Sequence, residues 1–220
     1  MKIGPGWITI QKLSVTFPTL ELETELLKKF PVVIGMDEVG RGSLAGPVAV
    51  AAFAVTNEQL SGQPARLQDS KLVREKERSG LALEAKAWGR FAVSMVNAEL
   101  IDQHGIIFAL RTAGQQCLAK LSLSQYTVIL DGNQNWLELE NVRVKTKADR
   151  DCASVAAASI IAKVERDELM VNLSETYPHY GFESNKGYSS AFHIEALKKH
   201  GPSEIHRKTW LSGILSESLF

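Results

Sequence analysis

The chain has 220 residues, 45% of them hydrophobic and 23% charged, which is the composition of an ordinary globular protein with a sizeable core. Lys plus Arg number 25 and Asp plus Glu number 25, so no global positive field draws the chain to nucleic acid or to an anionic membrane. The opening Met1-Lys2-Ile3-Gly4-Pro5-Gly6 lacks a signal-peptide pattern, no apolar run approaches a membrane span, and Cys117 and Cys152 make no disulfide framework, so a cytoplasmic protein without membrane contact is expected.

Residues 1–30 alternate short apolar pieces with Pro5 and Pro18 and read as a lead-in, with a short helix over 20–30. A principal domain is expected over 31–220. The β-branched run 32–36 predicts a buried strand that ends at Asp37 and Glu38, and residues 47–55 predict a second strand after a glycine loop. A helix over 81–88, a strand over 91–96 and a longer helix over 106–121 follow. The run 126–130 is another buried strand and ends at Asp131; Val142 and Val144 suggest a further short one. The Ala-rich stretch 153–170 predicts a tightly packing apolar helix, and 191–200 one more helix in a C-terminal extension that starts at about 172. This order points to an α/β fold, a mixed central sheet flanked by helices, with a helical C-terminal extension.

Two strands thus end at acids, and strand ends along one edge of an α/β sheet commonly bind ligands. Asp149 stands just ahead of the apolar helix as a third acid. Carboxylates brought together repel one another unless they share protons or hold cations, and hard oxygen ligands suit Mg²⁺ or Mn²⁺. Acids that merely stay solvated at strand ends are the plainer alternative. The turn Gly40-Arg41-Gly42 follows the first two acids, where missing Cβ atoms let a ligand approach the backbone. A dinucleotide-binding loop would need a helix next, and the sequence offers a strand.

Several strings resemble the signatures of ribonuclease HII. They are Asp37-Glu38-Val39-Gly40-Arg41-Gly42, Asp69-Ser70-Lys71, Asp131-Gly132-Asn133, Lys147-Ala148-Asp149 and Ala156-Ala157-Ala158-Ser159-Ile160-Ile161-Ala162-Lys163. Tyr177-Pro178-His179-Tyr180-Gly181-Phe182, Asn185-Lys186-Gly187-Tyr188 and Gly201-Pro202-Ser203-Glu204-Ile205-His206-Arg207 continue them in the family's order. The resemblance implies a ribonuclease H-like fold and a site of Asp37, Glu38, Asp131 and Asp149 for two divalent ions, Mg²⁺ or Mn²⁺. It implies an endoribonuclease acting on RNA/DNA hybrids and on DNA duplexes with embedded ribonucleotides, cutting 5′ of the ribonucleotide to leave 3′-hydroxyl and 5′-phosphate ends. It assigns ribonucleotide recognition to Gly40, Arg41, Gly42 and Tyr188.

Lys71 is a candidate phosphate contact, and Arg41, Lys145, Lys147, Lys186, Lys198, Lys199, Arg207 and Lys208 are cations that would line a duplex groove. Lys163, four before Asp167, is read as half of a helical ion pair. Two departures from the family's strings stand out: Leu72 replaces a second lysine, and Asp151 replaces a basic residue. Asp151 is read as a cap for the following helix. The rival readings are a ribonuclease HIII-like hybrid nuclease, which would carry a substantial extra N-terminal domain, and a duplex-binding module without catalysis.

Overall fold

The computed structural model describes residues 17–216, so the opening segment 1–6 lies outside it. Strands β1 (Val33–Val39), β2 (Val48–Val55) and β3 (Arg90–Val96) form an antiparallel meander. Strands β4 (Thr127–Asp131) and β5 (Val142–Lys145) extend the sheet in parallel from the other side of β1, giving the order β3, β2, β1, β4, β5. The helices are α1 (Glu21–Leu27), α2 (Glu75–Trp88), α3 (Ala98–His104), α4 (Ile106–Leu121), α5 (Ala148–Asp151), α6 (Ala153–Thr176), α7 (Phe182–Asn185), α8 (Ala191–His200) and α9 (Ser212–Ser216).

Period-two alternation sorts the strand side chains between two apolar layers. Ile34, Met36, Val50, Ala52, Val128 and Leu130 pack with Ile101 of α3 and Ala109, Leu110 and Ala113 of α4. On the opposite face Ala51, Phe53 and Val55 meet α2 and α6. The alanines of α6 let that helix approach the sheet closely: a Cβ on Gly35 would stand 2.3 Å from the Ser154 carbonyl carbon. A third cluster, with Leu44, Ala45, Met170, Tyr180, Phe182 and Leu197, joins the loop after β1 to the C-terminal helices.

The helix over 106–121 and that over 191–200 form with the expected bounds. Helix α2 starts six residues before 81, at Glu75, and α6 runs through residue 172 to Thr176. Helix α3 was not expected; it has seven residues, starts where Asn97 accepts the Leu100 N–H at 3.0 Å, and breaks at Gly105, whose φ is +84°. Strand β1 continues through both acids to Val39 because its ladder with β2 runs on after its ladder with β4 has ended. Lys163 and Asp167 pair at 2.7 Å as expected. Cys117 and Cys152 are buried, and burial pushes their thiols up to about 11 and about 12, which leaves them unreactive.

The cap assigned to Asp151 is corrected. Cys152 is the N-cap of α6, and the Asp151 carboxylate turns away to Lys145, at 2.6 Å. The capping anion comes from α1: fully buried Glu23 accepts the Ser154 N–H at 2.8 Å and the Ser154 hydroxyl at 2.7 Å. Sequence separation hides this contact, because nothing in the local pattern around Glu23 points 131 residues ahead.

Candidate active site

Parallel register brings the first pair of acids together. Met36 and Leu130 form the last pair of the β1–β4 ladder, so Asp37 and Asp131 stand at the adjacent strand ends just past it, both on the face covered by α6. Asp131 then recruits the third acid. Its Oδ1 accepts the Ala148 N–H at 2.7 Å, which docks the one-turn helix α5 on the end of β4 and leaves Asp149 buried beside it. Lys147, just before that turn, adopts a left-handed conformation with φ +59°.

The proximity has an electrostatic cost. Burial, then the charges of Glu38, Asp131 and Asp149, push the Asp37 carboxyl well above the usual carboxylate range, although Ser159 hydrogen-bonds to it and opposes the shift. Glu38 is raised by burial and by Asp131, against the pull of Arg41. Burial, then the charges of Asp69 and Asp131, push Asp149 up to about 6. Lys71 faces the same group: burial works against its ammonium, but Asp37, Asp69, Asp149 and Asp131 outweigh it and raise its pKa. These are the signs of anions held close without enough positive charge among them.

An all-oxygen set of this kind suits hard divalent ions. Among the described residues no three of these side chains already close on one metal-ligand point. Several oxygens are turned to local donors instead: Asp37 Oδ1 to the Glu38 N–H at 2.8 Å, and Glu38 Oε1 to Arg41 at 3.2 Å.

Asp69 is an acid that the sequence reading named only as part of a string. It is buried, accepts the Lys71 N–H at 2.9 Å and pairs with Arg150 at 3.4 Å. Ser70 binds Ser159 of α6 through its hydroxyl at 3.0 Å, so Asp69-Ser70-Lys71 is pinned to the helix that also supports Asp37.

The glycine turn divides its labour. Gly40 has φ +84°, and a Cβ there would lie 2.1 Å from Arg166 Nε, so its missing side chain makes room for the protein itself. Gly42 faces open space, with nothing within 4 Å of a Cβ built on it. Two fully buried arginines shape the loop from behind. Arg166 donates to the carbonyls of Pro47, Ala45 and Lys186 and to the Ser43 hydroxyl, at 2.8 to 3.2 Å. Arg207 donates to the carbonyls of Gly40, Arg41 and Gly46, at 2.7 to 3.3 Å.

Tyr188 stands at the same loop with its ring over Arg166, 5.4 Å from the guanidinium carbon, and it is 37% exposed rather than a core tyrosine. The expected basic groove loses members. Arg207 is spent inside the protein, Lys186 is buried and paired with Glu75, and Lys145 is held by Asp151. Arg41, Lys71, Lys147, Lys198, Lys199 and Lys208 remain at the surface. Burial of this kind is set by tertiary packing, and a count of basic residues along the chain cannot show it.

The family model described as Ribonuclease HII matches residues 34–212. The chain belongs to the ribonuclease HII family. Ribonuclease HII of Chloroherpeton thalassium is 40% identical over 198 residues, covering 89% of this chain and 97% of the relative. In solved structures, the PCNA:RNase HII complex from Archaeoglobus fulgidus contains a similar chain, with a TM-score of 0.69, 28% identity, and coverage of 81% of this chain and 95% of that one. Bst-RNase HIII in complex with Mn²⁺ shares the fold, with a TM-score of 0.70 at 21% identity and coverage of 86% of this chain and 69% of that one. As a member of the ribonuclease HII family the chain is a divalent-metal-dependent endoribonuclease acting on RNA/DNA hybrids. No helix among the described residues is long and apolar enough to cross a membrane.

Proposed function

We propose that Asp37, Glu38, Asp131 and Asp149 hold two divalent ions, Mg²⁺ or Mn²⁺, and that the site cuts a DNA duplex on the 5′ side of an embedded ribonucleotide. The observation that carries this reading is the placing of Asp37 and Asp131 side by side, each one residue past the last β1–β4 pair, Met36 and Leu130, with Asp149 docked beside them through the Ala148 N–H. Two such ions supply an activated water and charge stabilisation for the leaving oxygen of an in-line displacement. The chain itself must then find the ribose and hold the strand.

The 2′-hydroxyl is the group that distinguishes RNA from DNA at one position. Gly42 presents backbone to open space next to Glu38 and Arg41, which suits close approach of a sugar. The partly exposed Tyr188 ring, stiffened by the guanidinium beneath it, offers a flat apolar face for the neighbouring sugar or base. Lys71, whose pKa the neighbouring acids raise, would neutralise a phosphate at the scissile bond.

The test is a DNA duplex with one ribonucleotide, incubated with Mg²⁺ or Mn²⁺ and mapped at single-nucleotide resolution. We expect one cut 5′ of the ribonucleotide, with a 3′-hydroxyl and a 5′-phosphate. A cyclic phosphate, or full turnover in excess chelator, would overturn the two-ion reading. Tyr188→Phe should keep most of the activity and Tyr188→Ala should lose it; equal losses would move the role from the ring to the hydroxyl.

A further inference from the structure

His193 and His206 are fully buried beneath the Tyr188 segment, from α8 and from the stretch after it, and their Nε2 atoms are 2.9 Å apart. Their outer nitrogens have fixed partners. His193 Nδ1 lies 2.8 Å from the Tyr188 carbonyl, which can only accept. His206 Nδ1 lies 2.9 Å from the Ser203 backbone N–H, which can only donate, and 2.7 Å from the Ser203 hydroxyl, which can donate to the same nitrogen. Those two partners determine every proton in the chain. His193 must carry its proton on Nδ1, so its Nε2 accepts; His206 must leave Nδ1 bare, so its Nε2 donates. One directed line of hydrogen bonds therefore runs from Ser203 N–H through both rings to the Tyr188 carbonyl, with both imidazoles neutral.

An added proton breaks this line. On His193 Nε2 it would face the N–H of His206, and on His206 Nδ1 it would face the Ser203 N–H and have only the Ser203 hydroxyl to turn to. The surroundings act in the same direction. The Tyr180 and Phe182 rings pack on the pair with centroids 4.6 to 6.2 Å away. Lys208 on the His206 segment acts against a charge on that ring, the guanidiniums of Arg207 and Arg166 are buried in neighbouring segments, and the acids nearest in sequence, Glu195 and Glu204, are exposed.

The backbone around this line joins the two substrate-facing segments. Leu44 and Ala45 donate to the Gly187 carbonyl at 2.8 and 3.2 Å, Gly46 donates to Ile205 at 2.8 Å, and Arg207 donates to Leu44 at 2.9 Å. The segment 44–46 thus lies between Gly187 and 205–207, and the histidine pair closes the remaining side. We propose that His193 and His206 are positioning residues: their directed hydrogen-bond line sets the Tyr188 backbone against the Gly40–Gly42 turn and so sets the enzyme's preference for a lone ribonucleotide in DNA over a uniform hybrid. This rests on the role given above to Tyr188.

Two experiments test it on the full chain. In the wild-type protein, imidazole ¹⁵N shifts at pH 6 should show His193 as the Nδ1–H tautomer and His206 as the Nε2–H tautomer. A charged ring or the reverse tautomers would overturn the proposal without any variant being made. In the second experiment the readout is the ratio of kcat/KM on a single-ribonucleotide duplex to that on a uniform hybrid. His193→Asn keeps a donor near the Nδ1 position and should hold the ratio, whereas His193→Gln and His193→Leu should lower it about ten- to a hundredfold, the scale of small misplacements at an active site. His193→Leu made in a Tyr188→Ala background should lower the ratio no further. An unchanged ratio in Tyr188→Ala would remove the tyrosine reading itself. A normal ratio in His193→Leu, or an equal loss in His193→Asn, His193→Gln and His193→Leu that adds to that of Tyr188→Ala, would remove the histidines' role and leave them as packing.

Discussion

Asp149 is held near its neighbours at a cost that the free chain does not bear. Its pKa is about 6 in the folded protein, through burial and then the charges of Asp69 and Asp131, against an ordinary carboxylate value near 4 in the unfolded chain. The folded state therefore binds the Asp149 proton more tightly, and stability falls as pH rises through that window before levelling above about 6. Asp149→Asn should cut turnover by orders of magnitude, yet raise the metal-free Tm by a few degrees, roughly 2 to 4 °C per kcal/mol, at pH 8. Near pH 4 that gain should vanish. A lowered Tm at pH 8 would show that Asp149 is held by favourable contacts rather than strained by repulsion. Asp37 and Asp131 were legible in the sequence because they end β-branched runs, and Asp149 because it stands just ahead of the apolar helix. Asp69 was visible only inside a string, and nothing local marks Arg166, Arg207, His193 or His206 as buried, since their partners are carbonyls and rings far away along the chain.

At the scale of elements, α6 is the beam on which the site is hung. Its start is fixed by Glu23, whose carboxylate takes the Ser154 N–H and hydroxyl, and its middle by Ser159, which touches both Ser70 and Asp37. Burial raises the Glu23 pKa against the pull of Ser154, so desolvation of the carboxylate offsets part of what its hydrogen bonds contribute. Glu23→Gln keeps the Oε1 acceptor and should lose less than Glu23→Ala, which should lose about 1 to 3 kcal/mol, the scale of an orphaned buried donor. Asp151→Ala should lose less than about 1 kcal/mol, because its partner is a surface lysine. Denaturant titration of the three variants checks the order, and a larger loss for Asp151→Ala than for Glu23→Ala would return the cap to Asp151. Long periodic elements were readable in advance, as 106–121 and 191–200 were. Helix α3 was not, since seven residues give too little periodicity for a helix to be told from a loop.

Across the whole molecule, the C-terminal part grips the catalytic loop through a cation that has no carboxylate in its hydrogen bonds. Arg207 is fully buried, and burial followed by the charge of Arg166 pushes its pKa down. Its guanidinium spans the carbonyls of Gly40, Arg41 and Gly46, while its backbone N–H reaches Leu44, so residues 40–46 are held from one point. A planar fork spreads its donors over three nitrogens and spans carbonyls set apart, whereas the three donors of an ammonium all start from one atom. Arg207→Lys should therefore leave buried carbonyls unpaired, at about 1 to 3 kcal/mol each, and free the loop while the sheet beneath it stays packed. Hydrogen exchange should speed up at residues 40–46 and remain slow at Val50 and Ala52 of β2, which lie in the core. Turnover should fall on both substrates, and further on the single-ribonucleotide duplex, because a freed loop no longer holds the Gly40–Gly42 turn in place against Tyr188. Unchanged protection over 40–46 in Arg207→Lys would show that Arg166 and the backbone bonds to Gly187 suffice to hold the loop.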